Sequence, residues 1–285
     1  MNRVAIVTDS TTNIPVELAR NYSMEIIPLQ VIWDQKVFRD GIDIQPQEFY
    51  QRLAGSPTMP TTSQATPANF LEVYGRLLDQ KFDIFSIHIS SRLSGTIDSA
   101  IQAQTHFPGA NIEVFDSLSA GMALGFQALA LARAAREGAS LVDLNHLAQK
   151  AKGKTGIFFL VNTLEYLRRG GRIGGAAALI GSALHLKPIL ELRDGRIEAA
   201  DKVRTFNKAM DRLLDLLEAT VGTARPIRLS AQHANAPEMA AHMLEKARQR
   251  FSLTDVDEAI ITEISPALGV HTGPGALGLS FMAGM

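Results

Sequence analysis

Residues 84–96 read Ile-Phe-Ser-Ile-His-Ile-Ser-Ser-Arg-Leu-Ser-Gly-Thr, an apolar run that leads into a turn rich in hydroxyls and glycine. The run predicts a strand over 83–89, and the polar residues after the turn predict a helix over 97–106. A helix start offers unpaired backbone N–H groups and the positive end of the helix dipole. The turn Ser90–Thr96 is therefore a candidate anion site, and a simple helix cap is the competing interpretation.

Two other predicted strands end in similar polar turns. The strand over 4–8 is followed by Asp-Ser-Thr-Thr at 9–12, and the strand over 112–115 is followed by Asp-Ser at 116–117. Open α/β sheets bind their ligands at the carboxyl ends of their strands. We therefore expect a small-molecule site with an anionic end at this edge. The two aspartates could bind a metal or act as a base, but we favour hydrogen bonds that orient the loop hydroxyls.

The order of predicted elements indicates an α/β protein with two domains. Strands and helices alternate through residues 1–153, which predicts a three-layer α/β/α domain with a mostly parallel sheet. Residues 154–285 contain a predicted hairpin at the Asp194-Gly195 turn, so we expect an α/β domain with a mixed sheet there. Other predicted elements are a strand over 25–33, an extended loop over 56–67 and an apolar helix over 174–184.

Length, charge and cysteine content limit the possible functions. The chain has 285 residues, a formal net charge of −1 and no cysteine. Cysteine chemistry is therefore excluded, and the charge gives no electrostatic case for nucleic acid binding. The N-terminus enters a strand at once, and the weakly polar stretch over 173–186 is shorter than the ~18 residues that span a bilayer. We expect a cytoplasmic protein without an integral membrane segment.

Common nucleotide-binding and catalytic motifs are missing from the sequence. It lacks the Walker pattern, a dinucleotide Gly-x-Gly-x-x-Gly turn after a strand and a His-Glu-x-x-His pair. It also lacks the Gly-x-Ser-x-Gly elbow of many serine hydrolases. These absences argue against a self-sufficient Walker kinase and against the common hydrolases, and we expect no metal.

Several other polar clusters are candidate ligand contacts. Thr61-Thr62-Ser63-Gln64 lies between prolines, and His271-Thr272 lies in a glycine-rich loop that allows close backbone approach to a ligand. Arg172 follows two glycines, and its charge is not simply explained by a helix end. The small and aliphatic residues over 173–186 favour a core helix, or else a groove for an apolar ligand tail.

Taken together, these segments resemble the DegV family of bacterial lipid-binding proteins. The matching motifs occur in the family's order and span nearly the whole chain. They are Thr8-Asp9-Ser10-Thr11, Thr62-Ser63-Gln64, Ser90-Ser91-Arg92-Leu93-Ser94-Gly95-Thr96, Asp116-Ser117, Gly170-Gly171-Arg172-Ile173, Lys187-Pro188-Ile189-Leu190 and Gly269-Val270-His271-Thr272-Gly273-Pro274-Gly275.

The resemblance implies a long-chain fatty acid held between the two domains as ligand, and no cofactor. It also implies a likeness to the non-catalytic binding subunit of bacterial fatty acid kinase, which presents the carboxylate to a separate kinase subunit related to dihydroxyacetone kinase and so serves phospholipid metabolism. Arg172 and Arg204 would give electrostatic support or dock that partner. The residues that the resemblance places around the carboxylate are Thr62, Ser63, Ser94, Gly95, His271 and Thr272.

Two other functions remain open from the sequence. One is a lipid carrier or sensor without a kinase partner. The other is a stand-alone enzyme, a hydrolase or kinase, that acts on a small anionic substrate. Bound lipid would favour the kinase-subunit and carrier functions over the stand-alone enzyme.

Overall fold

The computed structural model describes residues 3–180, 186–252 and 254–285. The strands are β1 Val4–Asp9, β2 Glu25–Ile27, β3 Gln30–Trp33, β4 Lys36–Arg39, β5 Thr61–Ser63, β6 Asp83–His88, β7 Ile112–Asp116, β8 Thr155–Leu160, β9 Lys187–Arg193, β10 Arg196–Val203, β11 Ile227–His233, β12 Val256–Glu263 and β13 Leu277–Ala283. The α-helices are α1 Val16–Asn21, α2 Pro46–Gly55, α3 Pro67–Asp79, α4 Thr96–Gln104, α5 Gly121–Arg136, α6 Leu141–Lys152, α7 Glu165–Arg169, α8 Phe206–Val221, α9 Pro237–Gln249 and α10 Pro266–Thr272. Short 3-10 helices cover Ser10–Thr12 and Gly174–Leu179.

The first sheet has four parallel strands in the order β2-β1-β6-β7. Helices α3 and α4 pack on one face, and α5 and α6 pack on the other. Side chains of β1 alternate between these faces: Val4 and Ile6 lie in the core with α5, while Ala5 and Val7 lie in the core with α3. The predicted α/β/α layers with a mostly parallel sheet are confirmed.

The second sheet has six strands in the order β10-β9-β8-β13-β11-β12. Its β11 and β12 are parallel, and its other neighbouring strands are antiparallel. Helices α8 and α9 cover one face with a continuous apolar core. The predicted mixed sheet and the hairpin at Asp194-Gly195 are confirmed.

Helix α5 lies between the two sheets and contacts both of them. It packs against β1 of the parallel sheet and against β8, β11 and β13 of the mixed sheet. Its side chains are buried over almost the whole length to Ala132, which its small and apolar residues allow. Met282 of β13 joins the same apolar core as the parallel sheet. The two sheets therefore share one core across α5.

The predicted strand over 25–33 is two strands in two different sheets. Pro28 has no backbone N–H, and the chain leaves the parallel sheet there. The following strand, β3, pairs antiparallel with β4 and β5 to form a third, three-stranded sheet. The interpretation of 56–67 as an extended loop missed β5, which positions Thr62 and Ser63.

The predicted apolar core helix over 174–184 is wrong where the structure describes it. Residues 174–179 form a 3-10 helix in which Ala176 is buried and most other side chains are exposed. Gly174 has a φ of +51°, and a Cβ atom there would lie 2.2 Å from the carbonyl oxygen of Ile197. The backbone at Gly174 therefore packs directly against β10, and a side chain at this position would collide with it. Residues 181–184 of the predicted helix lie outside the described residues.

Candidate ligand-binding site

A cavity of about 240 Å³ lies where the three sheets and the start of α5 meet. Its walls come from the turns after β1 and β6, from β5, and from β8, β9, β10 and β13 of the mixed sheet. Most of the lining side chains are apolar; they include Leu29, Ile89, Phe159, Leu192, Ile197 and Leu268. Such a wall favours a hydrocarbon over a polar ligand.

One group of polar residues also lines the cavity. Every residue expected around a carboxylate is in this group: Thr62, Ser63, Ser94, Gly95, His271 and Thr272. Arg172 lines the cavity as well, whereas Arg204 is exposed and lies outside it. The structure therefore brings together residues from β5, the turn before α4, the segment after α7, and α10. None of these segments is adjacent to another along the chain.

The closest contact in this group joins Thr62 and His271. The Thr62 Oγ1 and His271 Nε2 atoms are 2.8 Å apart. Burial and the charge of Arg172 lower the pKa of His271 to about 4. The imidazole is therefore neutral at pH 7, and it acts on Thr62 as a hydrogen-bonding group and not as a cation.

The turn before α4 is held close to β5 by a glycine. A Cβ atom on Gly95 would lie 2.0 Å from Oε1 of Gln64, so a larger residue would displace that side chain. Gln64 Nε2 donates to Ser99 Oγ at 3.0 Å and ties β5 to α4. In the same turn, the Ser94 and Thr96 hydroxyl oxygens are 2.9 Å apart. Ser94 is therefore held at the wall of the cavity that Thr62 also lines.

Arg172 supplies positive charge at this wall. Its Nε donates to the Leu93 carbonyl at 3.0 Å, and its Nη1 donates to the Gly170 carbonyl at 2.8 Å. Among the described residues, neither Asp nor Glu lines the cavity. A buried anion needs several charge-assisted hydrogen bonds, and this group contains hydroxyl groups and a guanidinium that could donate them.

The two candidate aspartates accept hydrogen bonds from their own turns and from the neighbouring turn after β6. One carboxylate oxygen of Asp9 accepts from Thr11 N at 3.0 Å, and the other accepts from Ile89 N at 2.9 Å. Asp116 accepts from Leu118 N at 2.9 Å. Asp9 Oδ1 also accepts from the Thr11 hydroxyl at 2.5 Å, as expected of an aspartate that orients a loop hydroxyl, whereas the contacts of Asp116 are to backbone N–H groups. No group of three or more His, Asp or Glu side chains in the described ranges is placed to hold a metal ion.

Sequence reasoning missed Asp40, which fixes the start of α10. Its buried carboxylate accepts from Ser10 Oγ at 2.6 Å and from Ala267 N at 3.1 Å. Burial raises the pKa of Asp40 to about 6. Because α10 carries His271, this carboxylate links the turn after β1 to the polar group of the cavity.

A second missed contact joins Asn13 and Gln232, which both line the cavity. Asn13 Nδ2 donates to Gln232 Oε1 at 3.0 Å, and the same oxygen accepts from Met122 N at 2.9 Å. Asn13 Oδ1 also accepts from Ser265 N at 3.1 Å. No local pattern could identify this contact, because 219 positions separate the two side chains.

The fold is that of an α/β protein that encloses a mostly apolar cavity, and one part of the cavity wall is polar and carries the positive charge of Arg172. The family model for DegV, described as an uncharacterised protein family, matches residues 3–284. The chain belongs to the DegV family.

Relatives and solved structures are similar to this chain over nearly its whole length. A DegV domain-containing protein of Streptomyces coelicolor is 39% identical over 278 residues, with 97% of each chain covered. A solved fatty-acid-binding DegV family protein from Thermus thermophilus is 34% identical with a TM-score of 0.92, covering 99% of both chains. DegV of Bacillus subtilis, solved as a fatty acid binding protein, is 34% identical with a TM-score of 0.89 and covers 99% of this chain and 100% of that one.

Along the described part of the chain, no helix is both long and apolar enough to cross a membrane.

Proposed function

We propose that this protein binds a long-chain fatty acid, with the acyl chain in the apolar cavity and the carboxylate at the polar wall. The observation that carries the proposal is the joining of the two chemistries in one cavity. Most of the lining side chains are apolar, and the polar residues that also line the cavity include Thr62, Ser94, His271 and Arg172. A fatty acid carries the same two chemistries in one molecule.

The residues proposed to surround the carboxylate are Thr62, Ser63, Ser94, Gly95, His271 and Thr272. The acyl chain would supply most of the affinity, at ~0.8 kcal/mol for each buried methylene. A 16-carbon chain would contribute on the order of 10 kcal/mol before the costs of association. Solved DegV relatives that bind fatty acids, among them a stearic-acid-binding protein from Eubacterium ventriosum at 26% identity, support this ligand class.

We also propose that residues 1–153 and 154–285 act as two domains with the ligand between them. The parallel sheet draws all of its strands from the first range, and the mixed sheet draws all of its strands from the second. The cavity is lined from both ranges.

Protein purified from a bacterial host is expected to carry fatty acid in near-stoichiometric amount, because the buried chain makes release slow. Denaturing extraction followed by mass spectrometry measures it. The extract of a similarly sized unrelated protein from the same host is the control. Repeated absence of lipid, together with no binding of added palmitate or oleate, would reject the fatty-acid function in favour of a stand-alone enzyme on a small anion.

We propose further that the protein is the non-catalytic subunit of a cytoplasmic fatty acid kinase and serves phospholipid metabolism. The partner would be a kinase subunit related to dihydroxyacetone kinase. Exposed Arg204 and the partly buried Arg172 are the candidate docking or electrostatic residues. The missing phosphate-binding motifs fit a chain that leaves the nucleotide to another subunit.

Purified alone, the chain is expected to consume no ATP, and acyl phosphate should form only after a kinase subunit is added. Trapping of acyl phosphate with hydroxylamine measures the product. An Arg204→Ala variant should bind palmitate normally, so a loss confined to the kinase-coupled assay would indicate docking. If no kinase subunit from a bacterial host couples to the loaded protein, the carrier or sensor function is favoured.

A further inference from the structure

Gly170 lies directly against the ring of His271. It ends α7 with a φ of −74° and a ψ of −5°, a conformation that any residue adopts. A Cβ atom at this position would lie 2.0 Å from His271 Nδ1 and 2.7 Å from Cε1. Both atoms belong to a ring that cannot yield without rotating. The glycine is therefore required here by space and not by the backbone.

One nitrogen of the His271 ring makes a hydrogen bond, and the other has no partner among the described residues. Nε2 contacts the Thr62 hydroxyl, while the buried Nδ1 has no hydrogen-bond partner in the described part of the chain. Buried N–H groups without an acceptor are rarer than unpaired acceptors. The proton of the neutral ring is thus best placed on Nε2, which donates it to Thr62 Oγ1.

The position of this proton determines whether the Thr62 hydroxyl can donate a hydrogen bond to a ligand. A hydroxyl has a single hydrogen. If the Thr62 hydroxyl accepts from His271, its own hydrogen is free to donate to a carboxylate. If it donated to His271 instead, only lone pairs would face the anion.

Resting on the proposed fatty-acid function, we propose that Gly170 is a positioning residue for the carboxylate. Its missing side chain lets His271 pack against the end of α7, and His271 in turn holds Thr62 as a hydrogen-bond donor to the ligand. The Gly170 carbonyl also accepts from Arg172, which bonds the Leu93 carbonyl beside Ser94. One short segment thus sets both sides of the polar wall.

The test compares Gly170→Ala with Gly153→Ala. Gly153 ends α6 with a φ of −80° and a ψ of −3°, and a Cβ atom there meets only the Lys150 carbonyl at 3.7 Å. Palmitate affinity of the delipidated proteins is measured by displacement of a fluorescent fatty acid. Gly170→Ala is expected to weaken palmitate about 10- to 150-fold, the effect of losing a hydrogen bond to a charged group, and Gly153→Ala should not weaken it.

A double variant distinguishes an effect of Gly170→Ala on the His271 ring from a general disturbance of the site. Once His271→Ala has removed the ring, adding Gly170→Ala should change palmitate affinity less than threefold. A further tenfold loss in that background would show that the added methyl group acts through α7 or Arg172, and the proposal would be overturned. Equal affinity of Gly170→Ala and the unaltered protein would also overturn it.

Two further measurements keep the proposal testable. The first applies if Gly170→Ala does not fold, and the second distinguishes failure of the Gly170 proposal from failure of the fatty-acid function. Ring ¹⁵N chemical shifts of His271 in the palmitate complex should show the proton on Nε2; a proton on Nδ1 contradicts the proposal even if Gly170→Ala does not fold. Ser94→Ala reports on the carboxylate site without touching His271. If the unaltered protein binds no palmitate, the fatty-acid function fails; if it binds and only Ser94→Ala weakens it, the role of Gly170 fails alone.

Discussion

Palmitate is expected to bind the delipidated protein about four orders of magnitude more tightly than octanoate. The two acids share the carboxylate and differ by eight methylene groups. At ~0.8 kcal/mol per buried methylene, the difference is about 6 kcal/mol, or about 10,000-fold in Kd. The apolar lining of the cavity, from residues such as Phe159, Leu192 and Ile197, is the structural reason. Displacement of a fluorescent fatty acid, below the solubility limit of each competitor, measures the ratio.

The intermediate acids and the matched alcohols complete this experiment. Affinity should rise steadily from octanoate to palmitate and level off once the cavity is filled. The affinity for alcohols of the same lengths should rise in parallel but should be weaker at every length, because alcohols lack the charge that the polar wall stabilises. Octanoate within tenfold of palmitate would mean that the cavity does not hold the acyl chain.

Asp40→Asn is expected to abolish a pH dependence of stability that amounts to about 3 kcal/mol. Burial raises the pKa of this carboxyl from 3.8 to about 6, and one pKa unit corresponds to about 1.4 kcal/mol. Between these pH values the folded protein keeps the proton and the unfolded chain releases it. The unfolded state then binds fewer protons, so the free energy of unfolding falls as pH rises from 4 to above 6.

Urea unfolding of delipidated protein at pH 5 and pH 7 provides the measurement. The stability of the unaltered protein minus that of Asp40→Asn should fall by about 1 kcal/mol between these pH values. His271 titrates in the opposite sense, since its pKa is lowered to about 4, but it is present in both proteins and cancels in the difference. A difference that stays constant or increases with pH would contradict the role given to Asp40 burial.

An exposed aspartate provides the matched control. The Arg39 guanidinium lowers the pKa of Asp43 to about 2. Its contribution is present above the ordinary pKa and is lost as pH falls through the folded value, so it is essentially constant between pH 5 and pH 7. Asp43→Asn should therefore show the same pH trend as the unaltered protein over this range.

Local patterns in the sequence predicted much of the architecture. The β1 and β6 strands are apolar runs that end in polar turns, and both occur where the pattern places them. The parallel sheet, the mixed sheet and the β9–β10 hairpin follow from element order and turn residues, which are properties of short segments. For the same reason, the short polar strings that contain Thr62, Ser94 and His271 stood out before any contact was known.

Other features depended on neighbours that no short segment contains. Pro28 divides one apolar run into β2 and β3, but the sheet that β3 joins depends on pairing with β4 and β5. The predicted α-helix from Gly174 is a 3-10 helix that begins with close packing against β10. Propensity and periodicity are local averages, and packing against distant strands overrides them.

The sequence by itself determined the element types, the polar turns at the strand ends and the chemistry available to a ligand. Only the tertiary structure decided that Thr62 meets His271 and that Asp40 fixes the start of α10, since these partners are 209 and 227 positions apart. It also placed Arg172 at the cavity and left Arg204 in solvent. Hydrogen bonds and burial depend on distance in space, and here the packing of α10 against α7, β5 and the 3-10 helix after β1 brings these partners together.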